Sequence, residues 1–503
     1  MREKYRVNLN DVLMAGLLIG ILLLMFIGRQ NGSGSIGAFF VFFSLPALLL
    51  CLGAMALRQP FAAFIKQRLK QEQAYFALKI FRILLFLSSI FHALLAAALF
   101  FAAPYIAKYL LKVPLFSMPL RFAGIGLLFL SISYLIAGFL QGMGLINYVK
   151  HGFLILWLVS FPAAFFTQFA FAPYGEKVAV FMRNPDYTDM YRTAGMEAGV
   201  FAGILISFLY FVVVLLLVLR RNEAYFDDLP RQDVPAGNFF ISIPSQMLTA
   251  FFRYGFFFLD ILLLCALEEV SYGALGETLL GGFLPVAFAA FLFSRFSLAF
   301  LKEIQMLFRE REFSEARKGI ERMIGSVFLF ISPIAFYFFA ASPVLQGLLF
   351  GKNSPAPWPM RVCAFTLLFY PLLTFFDTFL EQGKRNGSIQ LAGVFALAVH
   401  WIVFEFLKGR GISPLGGFMG AFLCYIALRS VIEIVLAFRM ARLRTRVLQG
   451  MVLPLVVSAV LAIPVHFIAG IQKLPAAALF CITAILMFAG YGAAMYFVQK
   501  RLT

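Results

Sequence analysis

Charge is scarce in this chain. Only 13% of its 503 residues are Asp, Glu, Lys or Arg, and 62% are hydrophobic. Soluble domains carry about 25% charged residues, so a soluble globular protein is excluded. Cysteine is scarce too. Cys51, Cys265, Cys363, Cys424 and Cys481 all sit in apolar runs, with no CxxC and no ligand spacing. That excludes a disulfide framework and a thiolate metal site. Four histidines, His92, His151, His400 and His466, stand apart from one another with no HExxH. There is no GxxxxGK[ST], hence no phosphate loop for ATP. The stretch GSGSIG at Gly32–Gly37 matches GxGxxG, but no strand or βαβ unit surrounds it, so it is not a nucleotide site. No Ser/His/Asp arrangement is legible. No outer loop is long enough to carry an enzyme's reactive groups, which argues against a membrane polymerase or ligase. Nothing calls for a cofactor or a metal.

What fills the chain is apolar runs of about 20 residues, each long enough to span a bilayer core. Fourteen candidate spans follow: 11–28, 36–57, 80–103, 122–141, 151–172, 197–219, 240–267, 278–299, 324–342, 361–381, 389–407, 415–438, 451–470 and 475–498. The N-terminal MREKYRVN precedes an apolar run with no small-residue cleavage site after it, so it reads as a retained first helix. Net charge is +18, which in a soluble protein would suggest nucleic acid. Here the basic residues sit in short loops. With the N-terminus inside, 28 of the 42 Lys and Arg fall in inner segments and 12 in outer ones. This bias places both termini in the cytoplasm. No nucleic-acid partner is expected.

Ala103–Gly144 recurs about 240 residues later. Pro104 matches Pro343 at an offset of 239; Pro119 and Arg121 match Pro359 and Arg361 at 240; Gln141-Gly142 matches Gln382-Gly383 at 241. Shared prolines and arginines in one order indicate internal duplication, a mark of secondary transporters. The offset covers six spans, an even number, so both copies cross the membrane in the same sense. The expected fold is an all-α integral membrane protein with two parallel six-helix lobes, related by a pseudo-two-fold along the membrane normal. The lobes would be 1–225 and 226–446, with two added C-terminal spans in 447–503 and a polar, Pro/Gly-containing linker at RRNEAYFDDLPRQDVPAGN. Cargo would cross at the seam.

Two connecting segments stand out. The outer APYGEKVAVFMRNPDYTDMYRTAGMEAG reads as a mixed-charge segment on the membrane surface. The inner SLAFLKEIQMLFREREFSEARKGIERM reads as a helix leaving span 8. Charges within spans are the candidate site. A charge at the centre of a membrane helix costs about 2.5–3.5 kcal/mol on insertion scales, so it faces protein or a water-filled cavity. Arg253 and Asp260 lie seven apart in span 7, on one helical face. Arg429 and Glu433 are i, i+4 in span 12 and neutralise one another or bind substrate. Asp377 and Glu381 are i, i+4 near the inner end of span 10 and are candidate coupling carboxylates for H+ or Na+. Arg253 has no opposite charge one turn away, which makes it the first choice for an anionic group.

The motifs GFLQGMG at 138–144, APYIAKYLL, PYGEKVA at 173–179, SPVLQGLLFG at 342–351 and FLEQG at 379–383 resemble the multidrug/oligosaccharidyl-lipid/polysaccharide exporter superfamily. The similarity is to its polysaccharide branch, which includes stage V sporulation B-type proteins and lipid II flippases. That resemblance implies a monomeric flippase for a polyprenyl-diphosphate-linked saccharide in a bacterial cytoplasmic membrane, working by alternating access among membrane lipids. Arg253 would be the diphosphate contact, since a guanidinium donates to two phosphate oxygens at once. A multidrug/cation antiporter is the alternative. It is weakened by span 1, where Asp11 lies at the edge and no carboxylate lies inside.

Overall fold

A computed structural model describes residues 9–222, 237–268, 270–351, 355–383, 385–440, 447–471 and 474–502. The N-terminal MREKYRVN, most of the expected linker, Lys384 and the basic Arg442, Arg444 and Arg446 lie outside the described residues. Among the described residues every regular element is a helix. In chain order these are α1 (Leu9–Asn31), α2 (Gly34–Leu52), α3 (Ala54–Lys70), α4 (Ala74–Tyr105), α5 (Ser117–Gly142), α6 (Ile146–Met182), α7 (Asp186–Arg221), α8 (Gly237–Ala250), α9 (Phe256–Leu267) and α10 (Tyr272–Thr278). They continue with α11 (Leu284–Ala299), α12 (Leu301–Arg309), α13 (Phe313–Ala340), α14 (Ser342–Phe350), α15 (Trp358–Ala364), α16 (Thr366–Gln382), α17 (Asn386–Gly409), α18 (Pro414–Met440), α19 (Val447–Ala469) and α20 (Ala476–Leu502).

Twelve helical segments among the described residues are long and apolar enough to cross a membrane, or 13 when α15 and α16, bent by 41°, count as one span. The expected span 11–28 falls on a shorter apolar helix, Ala15–Asn31. This is a multi-pass membrane protein. In lipid a helix satisfies its own backbone groups, and that requirement selects this architecture.

By packing, the chain divides into two compact units. One is Met1–Leu23 with Gly34–Gly273; the other is Leu24–Ser33 with Ala274–Thr503. Helices α8 and α9, which open the expected second lobe, pack on α3 and α2 in the first unit.

The segment 172–199, expected on the membrane surface, is helical over nearly all its length. It forms the ends of α6 and α7, turning at Arg183 in the left-handed region (φ +52) and at Asn184, whose Oδ1 accepts from the Asp186 amide at 2.9 Å. Glycine spacing explains why these helices run so far together. Gly195, Gly199 and Gly203 form one ridge of α7, and a Cβ on any of them would sit under 3.0 Å from α6 at Thr167, Ala164 or Ser160. Small residues four apart let helix backbones touch in lipid. Thr167 Oγ1 then donates to Gly195 O at 2.6 Å, and Ser207 Oγ to Gly152 O at 2.9 Å. The segment expected on the inner side leaves α11 as the short helix α12. It reverses at Arg311 (φ +63) before α13.

The matched arginines of the repeat both turn back on the chain before them. Arg121 lies 5.1 Å from the centre of the Phe100 ring, and Arg361 Nε donates to Ser342 Oγ at 3.0 Å. Pro104 precedes a π-helical turn at Ile106–Leu110, whereas Pro343 sits in the first turn of α14, where no amide hydrogen is needed.

Candidate functional site

In the second unit, α16 and α18 bring three charges together out of solvent. Arg429 donates from Nη2 to Asp377 Oδ1 at 2.7 Å and from Nε to Glu433 Oε1 at 2.8 Å. Their exposures are 1%, 4% and 0%. The phenol of Tyr425 stands 3.5 Å from Nη1, and the buried His400 ring of α17 meets the Tyr425 ring edge-on at 6.4 Å. Ser430 Oγ donates to Phe369 O at 3.0 Å and fixes the same pair of helices. Geometry of this quality is what lets an ion pair survive desolvation. Glu381, one turn beyond Asp377, is half-buried near the end of α16.

The first unit presents cations. A π-helical turn, Phe251–Gly255, separates α8 from α9 and carries Arg253. Such turns widen a helix by one residue and recur at functional positions. Part of the wider turn lies between Arg253 and Asp260 along the chain. Arg253 is half-buried beside the Tyr254 ring, at 5.9 Å, while Asp260 in α9 is 2% exposed.

Arg58 of α3 is 6% exposed, with its guanidinium 5.9 Å from the Tyr134 ring and 5.6 Å from Phe153. Its Nε and Nη1 make no hydrogen bond among the described residues. Aromatic faces stabilise the cation, but they leave its in-plane donors unused. Those donors are suited to an anion.

Of the residues singled out from sequence, Arg429, Glu433 and Asp377 therefore meet in one cluster, and Arg253 and Asp260 lie in the other unit. Arg58 was missed because it falls one residue past the expected end of span 2 and was counted as a loop charge. Glu197, 1% exposed in α7, is the first residue of the expected span 6 and was read with the connecting segment before it. The signal for both was helix length: α2 and α3 continue to Lys70, and α7 starts at Asp186.

A multi-span helical membrane protein with charges sealed inside each unit is the class defined so far. No protein-family model matches the sequence, and no curated protein matches it. Solved structures do. A lipid II flippase, MurJ, in an inward closed conformation aligns with a TM-score of 0.65 and 12% identity, over 98% of this chain and 99% of that one. An inward-facing multidrug resistance MATE family transporter of the MOP superfamily aligns with 0.61 and 12% identity, over 85% and 94%. An outward-facing MATE transporter of the same superfamily gives 0.53 and 14%, over 87% and 97%. The chain has the fold of these MOP transporters.

Proposed function

We propose that this chain flips a polyprenyl-diphosphate-linked saccharide across a bacterial cytoplasmic membrane by alternating access. The observation that carries the reading is Arg58. Its guanidinium is buried in the same unit as Arg253, with Nε and Nη1 unsatisfied. A buried donor without an acceptor costs about 1–3 kcal/mol, a cost that an incoming anion relieves. Arg58 and Arg253 bind the diphosphate, and the isoprenoid tail stays in lipid. The fold supports this, since MurJ aligns over nearly the whole chain.

The six-span lobes 1–225 and 226–446, the added spans in 447–503, cytoplasmic termini and a monomeric state belong to the same proposal. An ion gradient or the membrane potential drives the cycle. Asp377 is the carboxylate through which an ion would compete for Arg429, with Glu381 as the neighbouring carboxylate. A second reading, a cation antiporter, is favoured by the buried Asp377–Arg429–Glu433 cluster and by the MATE alignments.

The test is reconstitution in liposomes with labelled polyprenyl-diphosphate saccharide, following its movement between leaflets. Protein-dependent movement that saturates with cargo is expected. Movement equal to that in empty liposomes overturns the reading.

A further inference from the structure

Glu197 is a buried carboxyl that neither the arginines of the first unit nor the Arg429 cluster uses. It stands three turns into α7, on the side opposite the glycine ridge that faces α6. There it lines a cavity of ≈ 20 Å³ with Phe43 and Leu50 of α2, Phe122 and Leu127 of α5, and Phe201 of its own helix. Among the described residues no hydrogen bond or ion pair reaches it, and Oε1 is sealed from solvent without a partner.

The elements around it are as bare. Within its bounds α2 has no Asp, Glu, Lys, Arg or His. The only charged residue of α5, Arg121, is turned onto Phe100. On α6 the nearby acid is Glu176, paired with Arg192 of α7 at 3.4 Å, and Asp186 and Asp189 lie two to three turns nearer the N-terminus of α7.

We propose that Glu197 and its cavity are a proton-binding site built into the first unit. An isolated carboxylate in apolar surroundings costs many times what a buried neutral acid costs, so the group must be neutralised where it stands. A hard metal cation needs several oxygen ligands, and the side chains lining this cavity supply oxygen from Glu197 alone. A proton needs only one oxygen. The cavity has the volume of about one water, but its lining offers a water no polar side chain except Glu197, so as packed it gives the proton no path out. With α2, α5 and α7 packed as they are, the carboxyl keeps its proton. Ionisation requires these helices to admit water, so proton release is tied to their separation.

The test needs no cargo, so its failure is distinct from failure of the flippase reading. Infrared difference spectra of the purified full chain are recorded across a pH titration, with and without sodium. A protonated-carboxyl band that vanishes as pH rises, is lost entirely in Glu197→Gln and ignores sodium is the expected result. Glu197→Asp keeps a band at a shifted position, which preserves the test should the glutamine variant fold poorly. Three results overturn the proposal: a band unchanged in Glu197→Gln; a band that persists until the protein unfolds, marking a permanently neutral acid; or a titration that moves with sodium, marking a metal site.

Discussion

Arg429 on α18 holds Asp377 on α16 at 2.7 Å, and both are buried. The same guanidinium holds Glu433 one turn along its own helix at 2.8 Å. One cation thus joins acids from two helices. An i, i+4 pair on its own would be a local neutralisation worth a few tenths of a kcal/mol. The third partner turns it into a tie between elements, and taking the arginine away would leave two carboxylates buried.

Arg429→Met should therefore lower stability by about 3–5 kcal/mol, the range for stranding a buried charge. Asp377→Asn should cost less, about 1–3 kcal/mol, because an amide still accepts from Nη2. Replacing all three groups by neutral ones should recover part of the loss, since the effects are coupled. Unfolding in detergent, followed by heat or denaturant, reads these differences. An Arg429→Met protein as stable as the parent would show that the cluster is not a tie.

Arg253→Ala and Arg58→Ala should each slow transbilayer movement of the labelled cargo by about tenfold or more, equivalent to ~1.4 kcal/mol. Arg58→Lys should not restore the rate, because an ammonium lacks the planar fork that meets two phosphate oxygens. Arg58→Ala removes unsatisfied donors but also a buried side chain packed on two rings, so its thermal unfolding is measured beside its rate. An unchanged rate for either alanine variant removes that residue from the cargo site.

The helices themselves were legible, because apolar runs long enough to span lipid have few other fates. Pairings within one helix were legible as well, as with Arg429 and Glu433. Asp377 was legible as a buried acid, but not as the partner of Arg429. Fifty-two residues separate them, and no local spacing encodes a contact between helices. Arg58 and Glu197 were lost for a different reason. Spans were cut where hydropathy falls, and a buried charge lowers hydropathy, so Arg58 fell just past the end of one span and Glu197 at the very start of another. The ridge of Gly195, Gly199 and Gly203 is a local signal of tight packing, and it was the evidence that α7 begins well before residue 197.

That ridge can be tested directly. At Gly199 a methyl group would meet the backbone of Ala163 and Ala164, which cannot move aside as a flexible side chain can. Gly199→Ala should cost about 1–3 kcal/mol by overpacking, and Gly199→Leu more. Gly273, which has open space around its Cβ position, should tolerate alanine. Thermal stability of the three variants in one detergent decides it. Equal loss at both glycines would point to backbone conformation rather than packing.

Cargo charge separates the two transport readings. A diphosphate carries about two negative charges, and moving one elementary charge through 100 mV is worth about 2.3 kcal/mol. An inside-negative potential therefore drives a lipid diphosphate outward and holds a cationic drug in. In liposomes with an imposed potassium diffusion potential, outward movement of the labelled saccharide lipid should quicken when the interior is made negative and slow when it is made positive. Arg58 and Arg253 suit that cargo, because two cations on the first unit would repel a cationic drug from the same site. Cells expressing the chain should gain no resistance to cationic drugs, whether Asp377 is intact or replaced by asparagine. Resistance that appears with the parent chain and disappears with Asp377→Asn would reverse the assignment and make the Arg429 cluster the seat of cation exchange.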